Sequence, residues 1–175
     1  MLIALCVVVP VILIASFTIA IGDLELFFAI ATVLFVAFGV CFLTTETLKL
    51  TVRRPRPYVQ YEIPLSEPNH SYLKNRMERH YRKEGFKSFP SGHTSNGICG
   101  TLTSLLFFLG QIRPFHIERA GWKTCLMSLV VLIPLGVAIY VGITRVLDNR
   151  HHVSDVLCGA LIGAISSLCS YFGNF

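Results

Sequence analysis

Five long stretches of this chain carry no charge, and that constrains the fold more than anything else in it. Residues 1–22, 26–45 and 124–143 contain no Asp, Glu, Lys or Arg. Neither do residues 94–112, whose first third is polar and contains glycine, nor the segment after Asp155 up to Phe175. A helix crossing a bilayer core needs roughly 20 apolar residues, and an Asp or Arg at its centre costs about 2.5–3.5 kcal/mol. The pattern therefore predicts an all-α fold: a polytopic membrane bundle of about five helices, near 2–22, 25–46, 94–112, 124–143 and 154–173. A soluble bundle would need polar outer faces that these runs do not leave. Apolar residues make up 53% of the 175 and charged residues only 14%, which fits a single integral-membrane domain over 1–175. Residues 1–22 lack the basic leader of a secretory signal, and their apolar run is longer than a usual signal core.

The polar residues gather between the runs. The long connection 47–92 contains Pro55, Pro57, Pro64, Pro68 and Pro90, and ten of the fifteen Lys and Arg residues fall between Lys49 and Lys87. Such a basic cluster suits an anionic partner; no soluble basic domain is present to suggest nucleic acid. Pro55 and Pro57 should end the second helix and force an extended exit. Within the connection, Leu73, Met77 and Tyr81 recur at a spacing of four, compatible with a short interfacial helix or with a solvated loop. The six cysteines (6, 41, 99, 125, 158 and 169) lie in the predicted helices without a CxxC pair and read as small buried hydrophobes.

Alternating the helices across a bilayer brings three polar segments to one face: 49-KLTVRRPRP-57, 90-PSGH-93 and 145-RVLDNRHHVSD-155. Lys49, Arg56 and Arg145 can surround one phosphate, since arginine presents forked donors and lysine a point charge. Arg53 and Arg54 can do likewise, and spacing does not choose among them; headgroup anchoring competes for each cation taken singly. Ser91 is a plausible helix N-cap, Gly92 lets the backbone approach a ligand closely, and exposed N–H groups at such a helix start attract anions. His93 would then stand in the first turn beside the anion. His151 and Asp155 are four apart, so on one helix the carboxylate can accept an imidazole N–H and leave the other ring nitrogen as nucleophile or base. His152 points about 100° away from that face. The nearby arginines would repel a metal ion.

Taken together, the three segments resemble the type 2 phosphatidic acid phosphatases, the lipid phosphate phosphatase superfamily. Its signature K-x6-R-P, P-S-G-H and S-R-x5-H-x3-D is matched by Lys49…Arg56-Pro57, Pro90-Ser91-Gly92-His93 and Thr144-Arg145…His151…Asp155, with threonine in place of the serine. The flanks 84-EGFKSFPSGHTS-95 and 145-RVLDNRHHVSDVLCGALIG-163 look most like the eukaryotic phosphatidate-phosphatase branch, and the likeness covers about residues 40–170. The resemblance implies hydrolysis of a lipid phosphomonoester, phosphatidate or a similar one, with neither metal nor cofactor. It implies that Lys49, Arg56, Arg145, Ser91 and the Gly92 backbone hold the phosphate. His151 would attack phosphorus, Asp155 would orient it, and His93 would protonate the leaving alkoxide. Sphingoid-base phosphates and polyprenyl diphosphates are the neighbouring substrate classes; a scaffold that keeps the fold without catalysis is the alternative of another kind. Members of this branch usually have six membrane helices, one more than is read here; the additional one would precede residue 1. The resemblance also puts the site on the lumenal or extracellular face. The sequon Asn69-His70-Ser71 agrees with that as a glycosylation site, whereas the positive-inside count points the other way. Gly159 and Gly163 form a GxxxG suited to close helix packing.

Overall fold

The computed structural model describes residues 2–59, 84–115 and 122–174. Among them are five long helices: α1 (Leu2–Ile21), α2 (Leu24–Val52), α3 (Gly92–Phe115), α4 (Trp122–Leu147) and α5 (Val153–Asn174). The sequon at Asn69 and the Leu73–Met77–Tyr81 spacing lie outside the described residues.

Local chemistry sets the helix ends. Gly22, at φ 78, turns the chain after α1 in a left-handed conformation that costs glycine little. Asp23 caps α2 by accepting the Leu26 N–H at 2.9 Å. At its other end α2 closes with Arg53 in the left-handed region, its N–H on the Lys49 carbonyl at 3.3 Å, just ahead of Pro55. Three helices overrun the limits expected from charge. α2 continues to Val52, α3 starts at Gly92 and reaches Phe115, and α4 extends to Leu147. Backbone hydrogen bonding needs no apolar side chain, so these helices stop at caps and turns beyond the apolar core. Lys49 and Arg145 consequently sit in the last turns of α2 and α4, where a cation is favoured by the helix dipole.

α3 is the hub: α1, α2, α4 and α5 all pack against it. Ile14 of α1, Ile30, Val33 and Leu34 of α2 and Phe107 of α3 form one core, into which Phe17 sets its ring edge-on against Phe107 and Phe108. Ala37, Cys41 and Cys99 join α2 to α3, and Ile98, Ala138 and Val141 join α3 to α4. The rest of the interior is small and hydroxylic. Thr45 Oγ1 lies 3.0 Å from Ser95 Oγ, and Thr103 Oγ1 lies 2.9 Å from Ser167 Oγ, all four residues buried. Phe35, Ile133, Leu147 and Leu161 point outward instead. Small residues inside and large apolar ones outside is the packing logic of helices that meet lipid rather than water. Among the described residues, α2 and α5 are each long and apolar enough to cross a membrane.

The GxxxG of α5 faces α3. A Cβ on Gly159 would stand 2.6 Å from the Ser91 carbonyl oxygen, and one on Gly163 would press still harder on that of Ser95. Bare backbone at both positions lets α5 lie directly on the first turns of α3, which seats Asp155 beside the PSGH segment.

Candidate active site

Backbone hydrogen bonds stitch the polar segments together at one end of the bundle. Arg56 N–H donates to the Gly85 carbonyl at 2.7 Å and Ser88 N–H to that of Arg54 at 3.0 Å. Tyr58 N–H reaches Asn149 O at 3.1 Å, and Ser91 N–H reaches Asp155 O at 3.0 Å. The exit from α2, the approach to α3 and the α4–α5 turn thus form one framework, as the alternation of helices requires.

The α4–α5 turn places the histidine. Asn149, at φ 53, reverses the chain, and the N–H groups of Arg150 and His151 both return to the Arg145 carbonyl, at 3.0 and 3.2 Å. Asp155 lies in the first turn of α5 and helps to cap it: its Oδ2 accepts the His152 N–H at 2.9 Å. The carboxylate is 0% exposed and well satisfied. Oδ2 also accepts the Ser88 hydroxyl, and Oδ1 accepts Arg54 Nη1 at 2.7 Å. Such a charge tolerates burial only with partners of this kind.

His151 is 3% exposed, and here the geometry departs from the expected one. Its Nδ1 lies 2.7 Å from the Ser88 carbonyl and 3.9 Å from Asp155 Oδ2. The spacing of four brings two side chains together only when both residues are helical, and His151 precedes the cap of α5, so its ring turns to the segment at Ser88 instead. Asp155 reaches the ring through Ser88, gripping the hydroxyl of the residue whose carbonyl grips the imidazole. A carbonyl only accepts, so Nδ1 carries the proton and Nε2 keeps its lone pair. Burial, helped by the charge of Arg56, pushes the His151 pKa down to about 4, against the opposing pull of the Ser88 carbonyl and Asp155. The ring is therefore neutral at pH 7. His93, in the first turn of α3, faces it with ring centroids 6.4 Å apart. His152 is drawn off the site, its Nε2 3.2 Å from the Pro55 carbonyl; it too precedes α5, so this contact and not a helical angle sets its direction.

The cations converge on the same space. Arg145, Arg56 and Lys49 all lie close enough for their charges to bear on His93. Lys49 Nζ lies against Gly92, where a Cβ would come within 2.7 Å of it, so only glycine leaves the ammonium its place. Lys49 also pairs with Glu46 at 2.6 Å, and Arg145 with Asp148 at 2.9 Å. Among the described residues, the buried side-chain nitrogens without a hydrogen-bond partner are the Nε atoms of Arg56 and Arg145. Leaving a buried donor unsatisfied costs about 1–3 kcal/mol, which an anion between the two guanidinium groups would recover. Ser91 is fully buried; its N–H is taken by Asp155, and its Oγ accepts the Thr94 hydroxyl at 3.0 Å, leaving its own hydroxyl proton for a ligand. Gly92 opens α3, whose first N–H groups have no partner within the helix.

Two residues complete the arrangement. Arg54, one of several interchangeable cations by spacing, belongs to Asp155; Arg53 is exposed and turned onto the Leu50 carbonyl. Ser88, two residues ahead of Pro90, carried no sequence signal of its own, because a serine beside a phosphate motif has many ordinary uses.

Residues 24–173 match the PAP2 superfamily. The chain belongs to that superfamily. Its curated relatives include a probable lipid phosphate phosphatase 4 of Arabidopsis thaliana, 38% identical over 138 residues, which is 75% of this chain and 43% of that protein. A probable diacylglycerol pyrophosphate phosphatase 1 of Schizosaccharomyces pombe is 34% identical over 134 residues, 71% of this chain and 46% of that protein. Phospholipid phosphatase 2 of Rattus norvegicus is 41% identical over 78 residues, 45% of this chain and 26% of that protein. The chain thus spans less than half the length of these relatives. No solved structure matches it. The motif residues of this superfamily member are the ones gathered around His93 and His151.

Proposed function

We propose that this chain hydrolyses lipid phosphomonoesters, phosphatidate or a similar lipid, at the membrane surface through a phosphohistidine. The observation that carries the reading is the pair of unpartnered, buried arginine nitrogens, Arg56 Nε and Arg145 Nε, beside two facing histidines. The phosphate sits among Lys49, Arg56 and Arg145, with the Ser91 hydroxyl and the Gly92 N–H as further donors. His151 Nε2 attacks phosphorus and forms the P–N bond as the P–O bond to the lipid breaks. His93 gives its proton to the departing alkoxide. Water, deprotonated by the now neutral His93, then attacks phosphorus, breaks the P–N bond and releases inorganic phosphate. Ser88 and Asp155 keep His151 in the tautomer that can attack. Three fixed cations compensate the phosphate charge, so the reaction runs in excess chelator, and vanadate inhibits by occupying the same place. Loss of activity in chelator, restored by magnesium alone, contradicts this.

The names of the relatives support the substrate class, and a catalytically idle scaffold would have no use for arginines kept unsatisfied. The deciding experiment is phosphate release by the purified full chain from a panel of phosphatidate, a sphingoid-base phosphate, a polyprenyl diphosphate and diacylglycerol pyrophosphate. The proposal expects phosphatidate-type monoesters to be turned over; no release from any of them leaves the scaffold reading. All five helices cross the bilayer in this reading, and the site faces the lumen or exterior. A tag beside Asn69 that is reachable only from the cytosol would refute that sidedness.

A further inference from the structure

Among the described residues, Lys49, Arg54 and Arg145 each hold an acidic partner, and the three pairs are built differently. Arg54–Asp155 is locked: its carboxylate is wholly buried and takes donors from Ser88, His152 and Arg54. Lys49–Glu46 and Arg145–Asp148 are open. Each joins residues three apart on or just beyond a helix end, and each carboxylate is substantially exposed, Glu46 at 40% and Asp148 at 51%. Their cations are the better shielded partners, at 16% and 24%. A water-facing carboxylate of this kind can swing into solvent at small cost, whereas Asp155 cannot move without stranding the buried Ser88 hydroxyl and giving up its bonds from His152 and Arg54. Among the described residues, Arg56 has no carboxylate on it at all. Two of the three cations of the phosphate cradle are thus each held by an exchangeable acidic neighbour.

We propose that Glu46 and Asp148 are counter-ions that weaken the cradle's hold on free inorganic phosphate and so promote its release. The inference rests on the functional reading above. A lipid phosphate brings its apolar chains to the membrane and draws affinity from them. Released phosphate draws affinity from the cradle alone, so two negative charges beside Lys49 and Arg145 act on the product with nothing to offset them. The carboxylates also keep the cations extended toward the site while it is empty, and they repel the anion once it is there.

The test is inhibition of the full chain by inorganic phosphate and by vanadate in Glu46→Gln, Asp148→Asn and the double variant. A unit charge within several ångströms in a half-exposed setting should change anion affinity by roughly 3- to 10-fold. Each single variant is therefore expected to lower the inhibition constants by that factor, and the double variant by more. Glu46→Asp, which keeps the charge, should stay near the wild type. A purely structural role predicts the opposite sign, because a misplaced Lys49 or Arg145 binds phosphate more weakly. Inhibition constants that are unchanged or raised in both single variants overturn the inference while the phosphatase reading stands. A wild-type chain that neither releases phosphate nor responds to vanadate overturns the functional reading, and this inference with it.

Discussion

At the scale of single residues, the two facing histidines separate by what each does for the leaving group. In the proposed mechanism, nucleophilic attack by His151 is required for every substrate, whereas a proton from His93 matters only where the leaving oxygen is a poor one. His93→Ala should therefore lose roughly 10²–10⁴-fold on a lipid phosphate and far less on nitrophenyl phosphate. His151→Ala should lose both activities equally, and His152→Ala, held on the Pro55 carbonyl, should change either only modestly. Equal fractional losses for His93→Ala on the two substrates would disprove its role as acid. The same geometry gives His151 an unusual titration. Burial lowers its pKa from an ordinary 6.5 to about 4, so the unfolded chain takes up a proton before the folded one does. Nothing is lost on this account above pH 6.5, and stability falls as pH drops from there toward 4. Histidine-labelled NMR spectra, assigned with His151→Ala, should show this ring neutral at pH 5; a midpoint near 6.5 would mean that the ring is not held as described. Ser88→Ala removes the hydroxyl from Asp155 but leaves the carbonyl on His151, so it should lower turnover without abolishing it.

At the scale of elements, the contact of α5 with the start of α3 decides whether a site exists. Gly159 meets the Ser91 carbonyl at a distance no Cβ tolerates, and Ser91 in turn donates its N–H to Asp155. Gly159→Val must push α5 outward and break that bond. Overpacking of this kind costs about 1–3 kcal/mol, and a displaced Asp155 should remove most of the activity along with several degrees of melting temperature. Gly39 of α2 is the control, since a Cβ there meets nothing within 4 Å. Gly39→Ala should be neutral or stabilising, because alanine favours a helix interior by about 1 kcal/mol over glycine. Thermal melts of both variants in the same detergent decide the matter, and a Gly159→Val that melts like the wild type would show that the close approach is not required.

At the scale of the whole molecule, hydroxyls line the bundle and large apolar side chains cover it, an arrangement that water would oppose and lipid supports. Phe35, near the middle of α2, is 80% exposed. On a soluble surface a lysine there would change stability by no more than about 0.5 kcal/mol; at a bilayer centre it costs about 2.5–3.5 kcal/mol. Phe35→Lys should therefore cut the yield of membrane-inserted protein sharply, and an unaffected yield would remove α2's outer face from the lipid. Much of this was legible from the order of residues alone. Charge-free runs place the helices because the cost of a buried charge is local to each residue, whereas spacing left several cations interchangeable and it is the family resemblance that singles out Lys49, Arg56, Arg145, His93, His151 and Asp155 as candidates. The helix limits near Lys49 and Arg145 were less legible, since a helix ends at its cap and not at its first charge. What only the tertiary structure decided is which groups touch across segments far apart in the chain. Arg54 goes to Asp155 and Arg56 to the side of His93 and His151, although both precede a proline, because the stitched backbone turns the two guanidinium groups apart. His151 leans on Ser88, 63 residues away in the chain, because the close approach of α5 to α3 carries the two segments together, and no local spacing encodes that distance.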